Sequence, residues 1–177
     1  MDLSNFRLIR LAPDTQIKPF NCGDQDLNEF LLQDAQLYLS ELLAVTYIIE
    51  SDTETIAFFS LLNDKISLQD ICSKNQWIKF QGKLYRRRGK PSKSYPAMKI
   101  GRLGVSDSVQ GQGLGRHILD YIKTLFINNN RTGCKFITVD AYNKSTGFYE
   151  KNGFKFFPAK EPDNHTKMMY FDLIALF

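Results

Sequence analysis

The sequence predicts a mixed α/β or α+β fold whose sheet contains both antiparallel and parallel strands. Val45–Glu50 and residues 55–62 are β-rich runs joined by the polar residues 51–54, which predicts a hairpin and an antiparallel pair. Residues 98–105 and 134–139 also read as strands, and a glycine-rich loop and an amphipathic helix separate them. A strand-helix-strand crossover makes its two strands parallel, so the sheet is mixed.

The other elements follow from periodicity and from caps. Apolar residues recur every three or four positions from 27 to 42, which predicts an amphipathic helix with Asp24 as its N-cap. Residues 6–11 predict a first strand, and residues 154–157 and 167–172 predict two final strands. A short helix is expected over 145–152, closed by Gly153. Residues 64–96 are predicted to be an irregular basic insertion with some helical potential over 68–77.

The size and composition indicate one globular domain. The chain has 177 residues, 43% hydrophobic and 24% charged, so we expect a single domain over residues 1–177. Neither a run of 18 apolar residues nor a basic-then-apolar leader occurs, so a soluble, cytoplasmic protein with no membrane partner is expected. Cys22, Cys72 and Cys134 lie far apart without C-x-x-C spacing, and they predict neither a disulfide framework nor a metal site.

The net charge of +4 conceals a segregated distribution. Residues 71–106 carry ten basic side chains and no acidic one, whereas the rest of the chain carries a net charge of −6. The ten are Lys74, Lys79, Lys83, Arg86, Arg87, Arg88, Lys90, Lys93, Lys99 and Arg102. A fixed basic segment on an otherwise acidic chain indicates an anionic partner.

The segment QGQGLG, residues 110–115, places three glycines on alternate positions before a predicted helix. First-turn amides of a helix lack partners and the helix dipole favours negative charge, so this segment predicts a phosphate site. A purely structural turn is the alternative, although it needs only one glycine. The segment is not a P-loop, because Arg116 and His117 follow Gly115, and it lacks the third glycine of a dinucleotide-binding loop. Asp140 nevertheless ends the next strand, where a ribose-binding acid would lie.

Two motifs together resemble the GNAT N-acyltransferases. Gln110, Gly113 and Gly115 match the acyl-CoA pyrophosphate loop of that family: Gln or Arg, two residues, Gly, one residue, Gly or Ala. The later segment DAYNKSTGFYEKNGF, residues 140–154, is similar to the family's next block, in which Asn opens a short helix and Phe-Tyr precede Gly-Phe. The resemblance covers most of residues 24–173. It implies a mostly antiparallel central sheet with a splayed parallel strand pair and helices on both faces.

The resemblance also implies acetyl transfer from acetyl-CoA to a primary amine by direct attack in a ternary complex, without a metal. Main-chain groups of Leu103 and Val105 would hold the pantetheine arm, and the Val105 amide would polarise the thioester carbonyl. The residues implied to hold the pyrophosphate are Gln110, Gly111, Gln112, Gly113, Leu114, Gly115 and Arg116.

Tyr149 is implied as the acid that protonates the departing thiolate, with a packed core aromatic as the alternative. Asn143 would bond the pantetheine or a water, or would only cap the short helix. No base is identified, because His117 and His165 read as surface or packing residues. Cys134 reads as a core residue rather than an acyl carrier, which favours direct attack over a covalent intermediate.

The N-terminal stretch CGDQDLNEFL, with AFFSL at 57–61, resembles the GNAT subgroup that includes toxins acetylating aminoacyl-tRNA. That likeness implies tRNA and a small antitoxin-like protein as candidate partners, and a homodimer is a further candidate. Arg86, Arg87 and Arg88 would then contact RNA phosphates. The amine acceptor of an acetyltransferase stays unidentified, and a catalytically silent acyl-CoA sensor is the remaining alternative.

Overall fold

The computed structural model of the protein describes residues 6–84, 92–128, 132–160 and 163–177. Its strands are β1 Arg7–Arg10, β2 Val45–Glu50, β3 Thr55–Ser67, β4 Ser94–Val105, β5 Phe136–Tyr142, β6 Lys155–Phe156 and β7 Thr166–Asp172. Its helices are α1 Gln25–Glu29, α2 Ala35–Ser40, α3 Lys74–Gly82, α4 Leu114–Leu125 and α5 Thr146–Lys151. The strands form one sheet in the order β1-β2-β3-β4-β5-β7-β6, with β4 and β5 as the parallel pair. The predicted mixed sheet is therefore confirmed.

The chain divides into two compact units. Unit 1 comprises Met1–Leu62 and Ile100–Asp120, and unit 2 comprises Asn63–Lys99 and Tyr121–Phe177. Among the described residues, no helix is both long enough and apolar enough to cross a bilayer.

Unit 1 contains the predicted hairpin. Strand β2 pairs antiparallel with β1 and with β3, and Val45 lies opposite Leu61. The Ser51 amide donates to the Glu54 carbonyl at 2.9 Å, which closes the turn. The buried residues of its core are Leu11, Phe20, Cys22, Phe30, Leu31, Ala35, Ile48 and Phe58.

The first predicted helix of unit 1 is interrupted and ends early. Asp24 is its N-cap and accepts the Leu27 amide, as predicted. Residues Phe30–Asp34 form a π-helical turn between α1 and α2, and α2 ends at Ser40. Leu42, which was predicted to lie in the helix, has a positive φ of 57° and is 90% exposed. The predicted helix was too long because Leu42 fits the three-to-four-residue spacing of the apolar residues, although it lies beyond the end of α2 and faces solvent.

In unit 2, the described parts of residues 64–96, which were predicted to be irregular, contain regular elements. Strand β3 extends to Ser67, helix α3 follows, and β4 begins at Ser94. Trp77, Phe80 and Leu84 are buried in the core of unit 2, with the Phe80 ring 5.2 Å from that of Phe157 and 5.3 Å from that of Tyr170. The spacing of 77, 80 and 84 is helical, but lysines and a glutamine between these residues obscured it.

The bounds of the last helix and the last two strands lie within a few residues of those predicted from the sequence. In unit 2, β5 pairs antiparallel with β7, and β7 pairs with β6. Helix α5 ends where Gly153 adopts a φ of 85°, and the Gly153 amide donates to the Glu150 carbonyl at 2.9 Å. Helix α4 buries Leu114, Ile118, Leu119 and Ile122 along one face, which is the predicted amphipathic pattern.

Candidate active site

The glycine loop lies in unit 1 between the end of β4 and the start of α4. Gly111 and Gly113 have φ values of +77° and +87°, which L-residues rarely adopt, whereas Gly115 lies inside α4. A Cβ built on either Gly111 or Gly113 would meet no atom within 4 Å. The loop backbone is thus open on its outer side at a helix N-terminus, which suits a phosphate group.

The first turn of α4 uses one of the expected donors internally. The Gly113 carbonyl accepts the amides of Arg116 at 3.1 Å and His117 at 3.3 Å. The Arg116 amide, which the resemblance implies as a donor to the phosphates, is therefore used within the helix. Its side chain is 76% exposed, with Nε 3.8 Å from the Asp120 carboxylate. The guanidinium, rather than the amide, is the group of Arg116 available to an anion.

The Gln110 side chain points back to the protein. Its Nε2 lies 3.0 Å from the Cys22 carbonyl, 2.9 Å from the Val105 carbonyl and 3.3 Å from Oδ1 of Asp107. Gln110 therefore braces the loop, and its side chain is not oriented as a direct ligand. Gln112 is exposed, whereas the Leu114 side chain is 2% exposed and contributes to the core.

The end of β4 is fixed by aromatic packing inside unit 1. A Cβ on Gly104 would lie 2.7 Å from Cε1 of Phe58 and 3.2 Å from Cζ of Phe20, so only glycine admits these rings. Leu103 and Val105, the predicted pantetheine contacts on either side of Gly104, are half-buried. The next amide, that of Ser106, donates to the Ile56 carbonyl at 2.8 Å. The backbone that carries the predicted oxyanion donor is thus held tightly.

Tyr149 lies on α5 in unit 2 and is buried. Its ring centroid is 5.1 Å from that of Phe148 and 5.3 Å from that of Phe154, both edge-on. Burial raises the pKa of the Tyr149 hydroxyl above its ordinary value. Tyr149 is therefore a packed aromatic that keeps its proton at neutral pH, so the structure is compatible with both roles considered for it.

Asn143 opens a short 3₁₀ turn in unit 2 and is not the cap of α5. The N-cap of α5 is Ser145, and no side chain caps that helix. Nδ2 of Asn143 donates to the Asn164 carbonyl at 2.8 Å, and its amide donates to the His165 carbonyl at 3.1 Å. Asn143 therefore ties the end of β5 to the segment before β7, which excludes the capping alternative.

The remaining titratable candidates do not form a nucleophilic centre. His117 and His165 are both exposed, so of the two predicted alternatives, surface or packing, each is a surface residue. Burial raises the pKa of the Cys134 thiol to about 11 and also raises that of Cys22, so neither is a thiolate at neutral pH. Within the described residues, no group of three His, Cys, Asp or Glu side chains could hold a metal ion.

The predicted RNA contacts Arg86, Arg87 and Arg88 lie outside the described residues. The described helix α3, which precedes them, carries the exposed side chains of Lys74 and Lys79, and the exposed Lys83 follows it directly. Its buried side chains include Trp77 and Phe80. These lysines were predicted as part of the basic segment, whereas the helix that displays them was predicted only as helical potential over residues 68–77.

Comparison with known families defines the class of protein. Residues 86–172 match the family model described as Acetyltransferase (GNAT) domain, so the chain carries a GNAT acetyltransferase domain, as its two motifs predicted. A search of curated protein sequences finds no match.

Solved structures share the fold over nearly the whole chain. A tyrosine-to-phenylalanine variant of KacT is 21% identical, covers 98% of this chain and 100% of its own, and has a TM-score of 0.75. AtaTR bound with AcCoA is 21% identical over 97% of this chain and 96% of its own, with a TM-score of 0.76. AtaT complexed with acetyl-methionyl-tRNAfMet is 21% identical over the same shares, with a TM-score of 0.74. At this identity the likeness establishes the fold.

Proposed function

We propose that the protein transfers an acetyl group from acetyl-CoA to a primary amine by direct attack in a ternary complex. The observation that carries the proposal is the open glycine loop at the N-terminus of α4, directly after β4, within a GNAT acetyltransferase domain. Its open backbone and the exposed Arg116 guanidinium suit the pyrophosphate of CoA.

Each proposed step uses a group of this chain. The Val105 amide polarises the thioester carbonyl, so that the neutral amine attacks the carbonyl carbon. As the carbon–nitrogen bond forms and the carbon–sulfur bond breaks, Tyr149 donates a proton to the departing thiolate. The attacking amine releases one proton to solvent and the Tyr149 oxygen regains one from solvent, so CoA leaves as the thiol and the proton balance closes. The raised thiol pKa values of Cys22 and Cys134 support direct attack over an acyl-cysteine intermediate.

A CoA titration tests the proposal. Gly113→Glu forces a side chain onto a backbone with φ of +87° and adds a negative charge beside the pyrophosphate. We expect calorimetry to show CoA binding by the parent and its loss in this variant. Gly82→Glu is the matched control, because a Cβ at Gly82 also meets no atom within 4 Å. Equal CoA affinity in the folded Gly113→Glu variant would contradict the loop assignment. CoA binding without acetylated products, in mass spectrometry of a reaction with mixed amines, would indicate a silent binder.

Aminoacyl-tRNA is a second candidate acceptor, favoured by the exposed lysines on and directly after α3. AtaT, which shares the fold, has been solved in complex with acetyl-methionyl-tRNAfMet and also with the C-terminus of the antitoxin AtaR. On this hypothesis the protein is a toxin that acetylates the amine of a charged tRNA and is held by an antitoxin-like protein. Mass spectrometry of aminoacyl-tRNA and of free amino acids after incubation with acetyl-CoA distinguishes the two acceptor classes.

Two organisational proposals accompany this function. We treat residues 1–177 as a single acetyltransferase domain, since solved GNAT toxins match the chain over 97–98% of its length. We place the protein in the cytoplasm, where acetyl-CoA and charged tRNA are present together.

A further inference from the structure

A turn near the N-terminus contacts the residues that lead into the glycine loop. Nδ2 of Asn21 donates to Oδ2 of Asp107 at 2.9 Å, and the Asp107 amide donates to the Asn21 carbonyl at 3.0 Å. These two residues are 86 positions apart in the sequence. Asp107 begins the short 3₁₀ turn that directly precedes Gln110.

The turn itself is anchored to helix α1. Oδ1 of Asn21 accepts the Gly23 amide at 3.1 Å and Nδ2 of Asn28 at 2.8 Å. Oδ1 of Asn28 accepts the Cys22 amide at 3.0 Å. Asn28 lies on α1, where its amide donates to the Asp24 carbonyl at 3.0 Å. The Asn21 side chain therefore has a defined orientation before it meets Asp107.

The Gln110 side chain adds further hydrogen bonds to both the Asn-Cys-Gly turn and Asp107. Its Nε2 meets the carbonyls of Cys22 and Val105 and Oδ1 of Asp107. Gly23 has a φ of +76°, and a Cβ there would lie 3.2 Å from Oδ1 of Asp107, so the turn fits closely against this carboxylate. One carboxylate is thus held by two side-chain amides at the entrance to the loop.

The position of this carboxylate needs an explanation. Asp107 is a negative charge three residues before a loop whose proposed ligand is a pyrophosphate, and like charges there oppose binding. Asn21 and Asp107 are both exposed, so their contact adds little to the stability of the core.

We propose that Asn21 and Asp107 are positioning residues for acyl-CoA, which act through the bracing side chain of Gln110 to hold the glycine loop in the conformation that binds the pyrophosphate. The inference rests on the proposed function. It assigns a task to the Asn-Cys-Gly turn that lies outside the glycine loop and touches no reacting atom.

Reciprocal substitution tests the pair. Asp107→Asn leaves one acceptor oxygen for two amide donors, Nδ2 of Asn21 and Nε2 of Gln110, and Asn21→Asp places two carboxylates side by side. The double variant Asn21→Asp/Asp107→Asn reverses the direction of the contact but keeps it, because position 107 then supplies the amide donor and position 21 the carboxylate acceptor. The amide oxygen at position 107 can still accept from Gln110. We expect each single change to weaken CoA affinity about tenfold, and the double change to restore it to within about threefold.

Whether Asp107→Asn weakens or strengthens CoA binding distinguishes a positioning role from a purely electrostatic effect. Removing a negative charge beside a phosphate site strengthens CoA binding if charge alone matters, whereas a positioning role predicts weaker binding. Asp14→Asn, at an exposed turn of unit 1, is the charge-matched control. In turnover assays we expect the KM for acetyl-CoA to rise with little change in kcat, which simple destabilisation does not produce.

The outcomes are distinguishable from failure of the proposed function. If the parent binds CoA and folded Asp107→Asn binds it equally or more tightly, the positioning role is wrong and the acetyltransferase proposal stands. If Asp107→Asn does not fold, the double variant decides, and weak CoA binding by the folded double variant contradicts the role. A parent that does not bind CoA overturns both.

Discussion

At the residue scale, Tyr149 joins packing and chemistry in one side chain. Its ring contacts Phe148 and Phe154, and its carbonyl accepts the amides of Asn152 and Phe154 at 3.0 Å. Burial keeps the hydroxyl protonated. A protonated donor fixed by three neighbours is suited to a leaving thiolate, because little reorganisation is needed during the reaction.

Tyr149→Phe removes the hydroxyl while keeping the ring and nearly all of its contacts. We expect turnover to fall by about 10²- to 10⁴-fold, the range for loss of a positioned general acid, with CoA affinity unchanged. Steady-state rates on a confirmed acceptor, with CoA titration as the control, measure this effect. A decrease below about threefold would leave Tyr149 as a core residue only.

The same variant has a predictable pH signature in stability. The folded-state pKa of Tyr149 is raised above 10, so above pH 10 the unfolded chain loses a proton that the folded chain keeps. The wild-type contribution is fully present below pH 10 and is lost as pH rises toward the raised pKa. Relative to Tyr149→Phe, the wild type should therefore lose up to about 1.4 kcal/mol of unfolding free energy per pH unit above 10. Urea denaturation of both proteins at pH 9 and pH 11 measures the difference. An equal change of unfolding free energy with pH in the two proteins would show that Tyr149 is not desolvated.

At the scale of elements, the end of α2 is unusual. Leu42 occupies the left-handed position after the helix, where glycine or asparagine is usual, and the Leu43 amide donates to the Tyr38 carbonyl at 2.9 Å. A leucine there bears backbone strain of roughly 1 kcal/mol and gains almost no burial at 90% exposure.

Leucine-to-glycine changes at two neighbouring sites should therefore have opposite signs. Leu42→Gly is expected to stabilise the protein by about 0.5–1 kcal/mol, because glycine adopts the left-handed conformation without strain. Leu37→Gly, within α2 and 57% exposed, is expected to destabilise it by about 1 kcal/mol. Equilibrium urea unfolding measures both. Destabilisation by Leu42→Gly would mean that this leucine makes contacts that offset its strain.

The accuracy of the sequence predictions at this scale depended on local signals. The bounds of β2 and the closing role of Gly153 were predicted correctly, since a turn and a glycine mark them. Strand β3 was predicted to end at Leu62, because the polar residues that follow were assigned to an irregular insertion. In the structure Asn63 and Asp64 continue the strand, which alternates between half-buried and exposed positions over residues 62–65 after seven buried residues. Helix α3 was predicted only in part, as helical potential over residues 68–77, because polar and charged residues lie between its buried ones.

At the scale of the whole molecule, the concentration of basic residues in one segment of the chain suggests a test of RNA binding. Neutralising Lys74, Lys79 and Lys83 with glutamine should reduce tRNA affinity by at least tenfold and lower the salt dependence by about two to three ion equivalents. The control changes Lys151, Lys155 and Lys160, which are also exposed in unit 2, by the same net charge. Filter binding over a series of salt concentrations measures both. Equal effects of the two triple variants would indicate non-specific attraction.

The candidate site was predictable only in part. Alternate glycines predicted positive φ, and Gly111 and Gly113 adopt it. The contact between Asn21 and Asp107 spans 86 positions, and no local pattern reports such a pair. The inward orientation of the Gln110 side chain could not be predicted for the same reason, because its partner Cys22 lies 88 positions away in the sequence.

The two edge strands of the sheet, β1 and β6, affect how readily the protein aggregates. Strand β1 has four residues and begins and ends with arginine, and β6 has two residues, Lys155 and Phe156, both exposed. Unpaired strand edges are templates for cross-β association, and short edges with positive charge give little backbone to pair with and repel a second copy. A chain with this much β-structure is therefore expected to remain dispersed at high concentration rather than to nucleate fibrils.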